Sequence, residues 1–142
     1  MKIFALMIAG AFGALARYGF TLAIQNWVAG RDSRGFIGGQ LGAAFPLGTL
    51  VINVLGAFLL AFLVTLVAQQ ALKPEWQLVL GTGFLGAFTT FSTFELESEK
   101  LLASGNGVAA TFYIGGNLLL GFAAILLGRA LAMKLLGPGV IK

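Results

Sequence analysis

Apolar residues run almost unbroken from Ile3 to about Val28, from Phe45 to about Gln70, from Trp76 to about Leu102 and from Val108 to about Leu127. Short polar stretches separate the runs: Gly30-Arg31-Asp32-Ser33-Arg34-Gly35 with Gly38-Gly39, then Lys73-Pro74-Glu75, then Ser104-Gly105-Asn106-Gly107. A helix needs roughly 20 largely apolar residues to cross the hydrocarbon core of a bilayer. The pattern therefore predicts an all-α membrane protein of four transmembrane helices, over about 3–28, 45–70, 76–102 and 108–128, in one domain covering 1–142. Pro46 suits the first turn of the second helix. Pro74 ends one element and Glu75 starts the next. Arg129 and Lys134 close the fourth span, with an amphipathic continuation to Leu136 before Gly137-Pro138-Gly139 stops it.

The third run is not a plain helix. Gly81, Gly83 and Gly86 precede Ala87-Phe88-Thr89-Thr90-Phe91-Ser92-Thr93-Phe94. Glycines and β-branched threonines weaken a helix, so a break in mid-membrane is expected here. Backbone groups freed in a membrane must be satisfied by protein or by an ion, and freed carbonyls suit a hard cation such as Na⁺. A side chain added at Gly86 is expected to distort the break. Phe84 and Phe88 read as core or lipid-facing rings. Phe91 and Phe94, alternating with hydroxyls, read as rings lining something polar, because a ring's positive edge can face an anion.

Composition sharpens the solvent assignment. Of 142 residues 58% are hydrophobic and only 10% charged, against roughly 25% charged in a soluble domain. The N-terminus has the superficial look of a signal peptide, but its apolar run is too long, contains Arg17 and lacks a cleavage site before Val28. With no cysteine and no histidine, disulfides, thiolate or imidazole metal sites and imidazole acid–base chemistry are excluded. No catalytic set can be assembled, so the chain does not read as an enzyme. The net charge of +4 forms no basic patch and does not point to nucleic acid. With four spans, Lys2, Lys73, Arg129, Lys134 and Lys142 fall on one side and Arg31, Arg34 and Lys100 on the other. So small a bias is a weak instruction for orientation, and such a chain is expected to insert both ways.

Few polar side chains interrupt the spans. Arg17 lies on a stripe with Gly10, Gly13 and Ala14, which lets another helix approach closely. It reads either as a packing device or as a charge attracting anions to a vestibule. Asn53 shares a face with Thr49 and Gly56, and serves either as interhelical glue or as a hydrogen-bond donor to a passing anion. In the fourth span Tyr113, Asn117, Gly121, Ala124 and Gly128 share a face, and packing explains the small residues better than it explains Tyr113 and Asn117. Glu95 and Glu99 read as solvated acids at the end of the third span.

Three blocks, Gly10-Ala11-Phe12-Gly13-Ala14-Leu15-Ala16-Arg17-Tyr18, Gly48-Thr49-Leu50-Val51-Ile52-Asn53-Val54-Leu55-Gly56 and Gly83-Phe84-Leu85-Gly86-Ala87-Phe88-Thr89-Thr90-Phe91-Ser92-Thr93-Phe94, together resemble the CrcB/Fluc family of fluoride channels along essentially the whole chain. The resemblance implies a dual-topology homodimer of antiparallel subunits in the bacterial inner membrane. It implies two fluoride pathways and a structural Na⁺ at the dimer interface, held by backbone carbonyls of Gly86 and Thr89. It makes Phe91 and Phe94 the pore phenylalanines and Asn53 the pore asparagine, with Thr90, Ser92, Thr93, Tyr113 and Asn117 along the pathway and Arg17 and Glu97 at the vestibule. Ala9 stands where the family usually has a second glycine, and Asn117 and Gly121 where small hydroxyl residues are common. The implied function is passive fluoride export that lowers cytoplasmic fluoride. A small dual-topology drug exporter is a rival, but that class wants an acid in the first span, where this chain has Arg17. A non-transporting membrane subunit would explain the small-residue stripes but not the polar residues.

Overall fold

The computed structural model describes residues 1–29 and 45–137. The polar link over 30–39, with Arg31 and Arg34, and the residues beyond Gly137 lie outside that description. The described residues are helical throughout, with turns between. Helix α1 (Lys2–Ala29), α2 (Leu47–Ala68) and, last in the chain, a 30-residue helix over Gly107–Leu136 are each long and apolar enough to cross a membrane. Only 11%, 17% and 22% of their most apolar stretches is buried within the chain, so their remaining apolar surface faces lipid or another protein.

Local chemistry sets the ends. Pro46 stands immediately before α2, where its missing N–H costs no helical hydrogen bond. Lys73 precedes α3 (Pro74–Trp76), with Pro74 and Glu75 in its first turn. A π-helical stretch over Gln77–Leu85 follows, then α4 (Gly86–Phe88). Thr89 (φ −80°, ψ 161°) and Thr90 (φ −150°, ψ 117°) leave helical geometry before α5 (Phe91–Ala103) begins. Helix α6 (Gly107–Leu136) starts at Asn106, whose side chain accepts from the Ala109 N–H at 3.1 Å. It runs without interruption through Arg129 and Lys134 to Leu136. None of the pieces over 74–103 alone reaches spanning length. The π-helical turns were not foreseen from the sequence, where Gly81 and Gly83 are their only mark.

Small residues decide how closely the helices approach. Helix α1 packs along the π-helical stretch, and α2 along α6. A Cβ on Gly13 would strike the Phe84 carbonyl, one on Gly83 would come within 2.9 Å of Ala9 Cβ, and one on Gly128 would strike the Phe58 carbonyl. The stripe expected on α1 is therefore a helix contact at Gly13. Two buried clusters fill the interior: Ile52, Leu85 and Phe88, and Phe94, Leu101, Ala109, Ala110 and Tyr113. Gly13→Val and Gly128→Val are each expected to destabilise the protein by about 1–3 kcal/mol, the ordinary cost of overpacking. Gly121, with nothing within 4 Å of an added Cβ, should accept alanine within about 0.5 kcal/mol. Thermal unfolding of the detergent-purified variants checks the order, and equal midpoints for Gly121→Ala and Gly128→Val would contradict it.

Candidate functional site

The extended pair Thr89–Thr90 is held from across the bundle. Asn53, mid-way along α2, accepts the Thr90 N–H on Oδ1 at 3.0 Å and donates from Nδ2 to the Thr90 carbonyl at 3.2 Å. The same Nδ2 donates to Asn117 Oδ1 at 3.0 Å, and Asn117 Nδ2 is anchored on the Tyr113 carbonyl at 3.0 Å. Both ends of each amide are thereby oriented. In this conformation Asn53 is the clamp of the break, with both amide hydrogens engaged. The clamp was not legible in the sequence because its partners lie 37 and 64 residues away.

This clamp has a second effect. In a continuous α-helix the Thr90 N–H would bond the Gly86 carbonyl; here it goes to Asn53. The Thr93 N–H, whose regular partner would be the Thr89 carbonyl, goes to Thr90 Oγ1 at 3.3 Å. The carbonyls of Gly86 and Thr89 thus lose their regular helical donors, which is the chemistry a hard cation needs from backbone oxygen. An added Cβ at Gly86 would meet only the Gly81 carbonyl, at 3.7 Å. Within one chain a methyl fits there, so the distortion expected from a side chain at Gly86 requires a larger group or the presence of a second subunit. The tight glycine beside the break is Gly56, whose Cβ would strike the Thr89 methyl.

The hydroxyls around the break have local duties. Thr90 Oγ1 caps α5 and donates to Thr93 Oγ1 at 2.8 Å, and Ser92 is exposed. Phe91 is 73% exposed, whereas Phe94 is buried. The Phe94 ring lies 5.8 Å from that of Phe91 and 5.5 Å from that of Tyr113. Phe84 and Phe88 stack on each other at 5.9 Å, and Phe88 is buried in the core. Tyr113, fully buried, donates its hydroxyl to Glu97 Oε2 at 2.6 Å. A polar line therefore crosses the bundle, from the Thr90 backbone through Asn53, Asn117 and Tyr113 to Glu97.

A cavity lies at each end of that line. A mostly apolar groove of about 510 Å³ is lined by Asn53, Gly56, Gly86, Thr89, Thr90 and Phe91 among others. At the other end a cleft of about 380 Å³ is lined by Thr21, Gln25, Thr49, Glu97, Lys100 and Ser104 among others. Arg17 is half-buried and does not line the cleft; its carbonyl accepts from the Thr21 hydroxyl at 2.9 Å. Glu95 and Glu99 are exposed. Among the described residues no cluster of carboxylate, imidazole or thiolate groups is arranged to hold a metal.

Fold and site together define a small multi-pass helical membrane protein with a partly buried polar line between two cavities. A family model described as CrcB-like protein, Camphor Resistance (CrcB), matches residues 4–129, and the chain belongs to this family. Similar proteins include the fluoride-specific ion channel FluC of Nitratidesulfovibrio vulgaris (strain Miyazaki F), 43% identical over 128 residues, 89% of this chain and 93% of that one. That of Acidobacterium capsulatum is 39% identical over 136 residues, 95% of this chain and 98% of the relative. That of Hydrogenobaculum sp. (strain Y04AAS1) is 41% identical over 132 residues, 92% of this chain and 97% of the relative. The chain is accordingly a multi-pass protein of the bacterial inner membrane.

Proposed function

We propose that the protein is a fluoride-selective channel that lets fluoride leave the cytoplasm passively. The observation that carries this reading is the line Asn53–Asn117–Tyr113–Glu97, which joins the groove at the helix break to the cleft and is flanked by Phe94. The relatives' designation as fluoride-specific ion channels agrees with it. From acidic surroundings fluoride enters as neutral HF, ionises in the less acidic cytoplasm and is trapped there as the anion, so even a leak is protective. On this reading the pieces over 74–103 make a fourth span broken in mid-membrane. Ring edges of Phe91 and Phe94, with the polar groups of Thr90, Ser92, Thr93 and Asn117, replace part of the anion's hydration, and Asn53 and Tyr113 contribute by exchanging the bonds their donors now make to Thr90, Asn117 and Glu97. Sparse, narrow polarity of this kind suits a small ion. Glu97 belongs to the vestibule, and Arg17 lies outside the cleft wall, one helical turn before the cleft-lining Thr21.

The functional unit is a homodimer of antiparallel subunits. Gly86, Thr89 and Phe91 line an open groove in the single chain, and a second subunit seated on it would cover them. The Gly86 and Thr89 carbonyls from each subunit would hold a Na⁺, which supplies a fixed positive charge and ties the subunits together when bound.

The decisive measurement is anion efflux from liposomes holding the purified protein. Fluoride is expected to leave rapidly and chloride to be nearly excluded. Equal rates for the two ions, or proton-coupled export of an organic cation, would sink the reading. Dual topology has its own test, because the two sides differ little in lysine and arginine. Two or three lysines added at Lys73-Pro74-Glu75 should bias insertion and lower activity as one orientation becomes scarce. Reporter fusions that find a single fixed orientation in the unmodified chain would rule dual insertion out.

A further inference from the structure

We infer that Lys100 is the charge that draws anions into the cleft, a rate-setting residue at the mouth of the pathway; this deepens the channel reading and rests on it. The cleft's wall carries two charged side chains among the described residues, Glu97 and Lys100. Glu97 accepts the Tyr113 hydroxyl, which anchors the carboxylate in the wall of the cleft. A carboxylate there repels the anion that must pass it. Lys100 lies three residues on, on the same face of α5, where i and i+3 side chains are neighbours. It is exposed, lines the cleft and makes no ion pair among the described residues, so its charge stands at the cleft wall with no described carboxylate paired to it. Arg17, the cation the sequence favours for this task, does not line the cleft. Gln25, Thr21 and Ser104 complete a wall able to exchange hydrogen bonds with a partly hydrated ion.

A single charge acting across water-filled space changes the local anion concentration by a small factor, and salt screens it. The test compares fluoride efflux per folded protein for the parent, Lys100→Gln, Lys100→Arg and Arg17→Gln at two ionic strengths set with an impermeant salt. At about 0.01 M, where the screening length is about 30 Å, Lys100→Gln should be about threefold slower than the parent. Near 1 M, where that length is about 3 Å, the two should converge. Lys100→Arg should match the parent at both. The inference is overturned if Lys100→Gln keeps pace at low salt, or is slowed equally at both ionic strengths as a structural defect would be. It is also overturned if Arg17→Gln shows the larger salt-sensitive loss. A parent that passes no fluoride removes the channel reading, and this inference falls with it.

Discussion

Asn53→Leu is expected to abolish fluoride efflux and to destabilise the protein more than any other single change on the polar line. Leucine keeps the volume but orphans the Thr90 N–H and carbonyl together. Each such group, buried without a partner, costs about 1–3 kcal/mol, and water is scarce in the hydrocarbon region to relieve them. Asn117 also loses the donor to its Oδ1. Asn117→Leu is the comparison, since it leaves both Asn53–Thr90 bonds intact and should cost less. Denaturation midpoints and efflux per folded protein give the order. An Asn117→Leu loss as large as that of Asn53→Leu would show that the clamp on Thr90 is not what holds the break.

Phe91→Ile and Phe94→Ile should each slow fluoride efflux by roughly tenfold or more, by removing a positive ring edge from the anion's path. The two positions differ in what else they do. Phe94 is buried against Tyr113, so its replacement carries a packing cost, usually under about 1.5 kcal/mol when volume is nearly kept. Phe91 is 73% exposed in the single chain, so isoleucine there costs the subunit's own fold little. A large transport loss at Phe91 with unchanged unfolding is therefore the cleaner signature of a pore role. Phe84→Ile, in a stack with Phe88, is the packing control. If both pore variants transport as well as Phe84→Ile, the two rings only pack.

Features written in local composition were legible in the sequence. The long helices α1, α2 and α6 follow from apolar length, and Pro46 marks the start of α2; Pro74, read as the end of one element, stands instead in the first turn of α3, and the side-chain cap by Asn106 was read only as part of a turn. The departure from helix at Thr89–Thr90 follows the glycines and threonines around it. Features that depend on distant partners were not legible. That Tyr113 needs a partner can be read from its place in an apolar span; that the partner is Glu97 depends on how α5 lies against α6. Asn53 was legible as a polar residue in hydrocarbon, but not as a two-point clamp on a backbone 37 residues away. The fit of a methyl at Gly86 and the clash of one at Gly56 depend equally on what stands opposite each glycine.

The π-helical stretch over Gln77–Leu85 separates chain length from angular register. An α-turn takes 3.6 residues, and a π-turn closes its hydrogen bond one residue later. Each wide turn thus stores extra chain without lengthening the bundle in proportion. Drawing that residue back into α geometry would rotate everything beyond it by about 100° about the helix axis. Phe91, whose ring now borders the groove, would swing away from it, and Thr90 would leave the reach of Asn53. The azimuth of the break is therefore set upstream, by how loosely nine residues are wound.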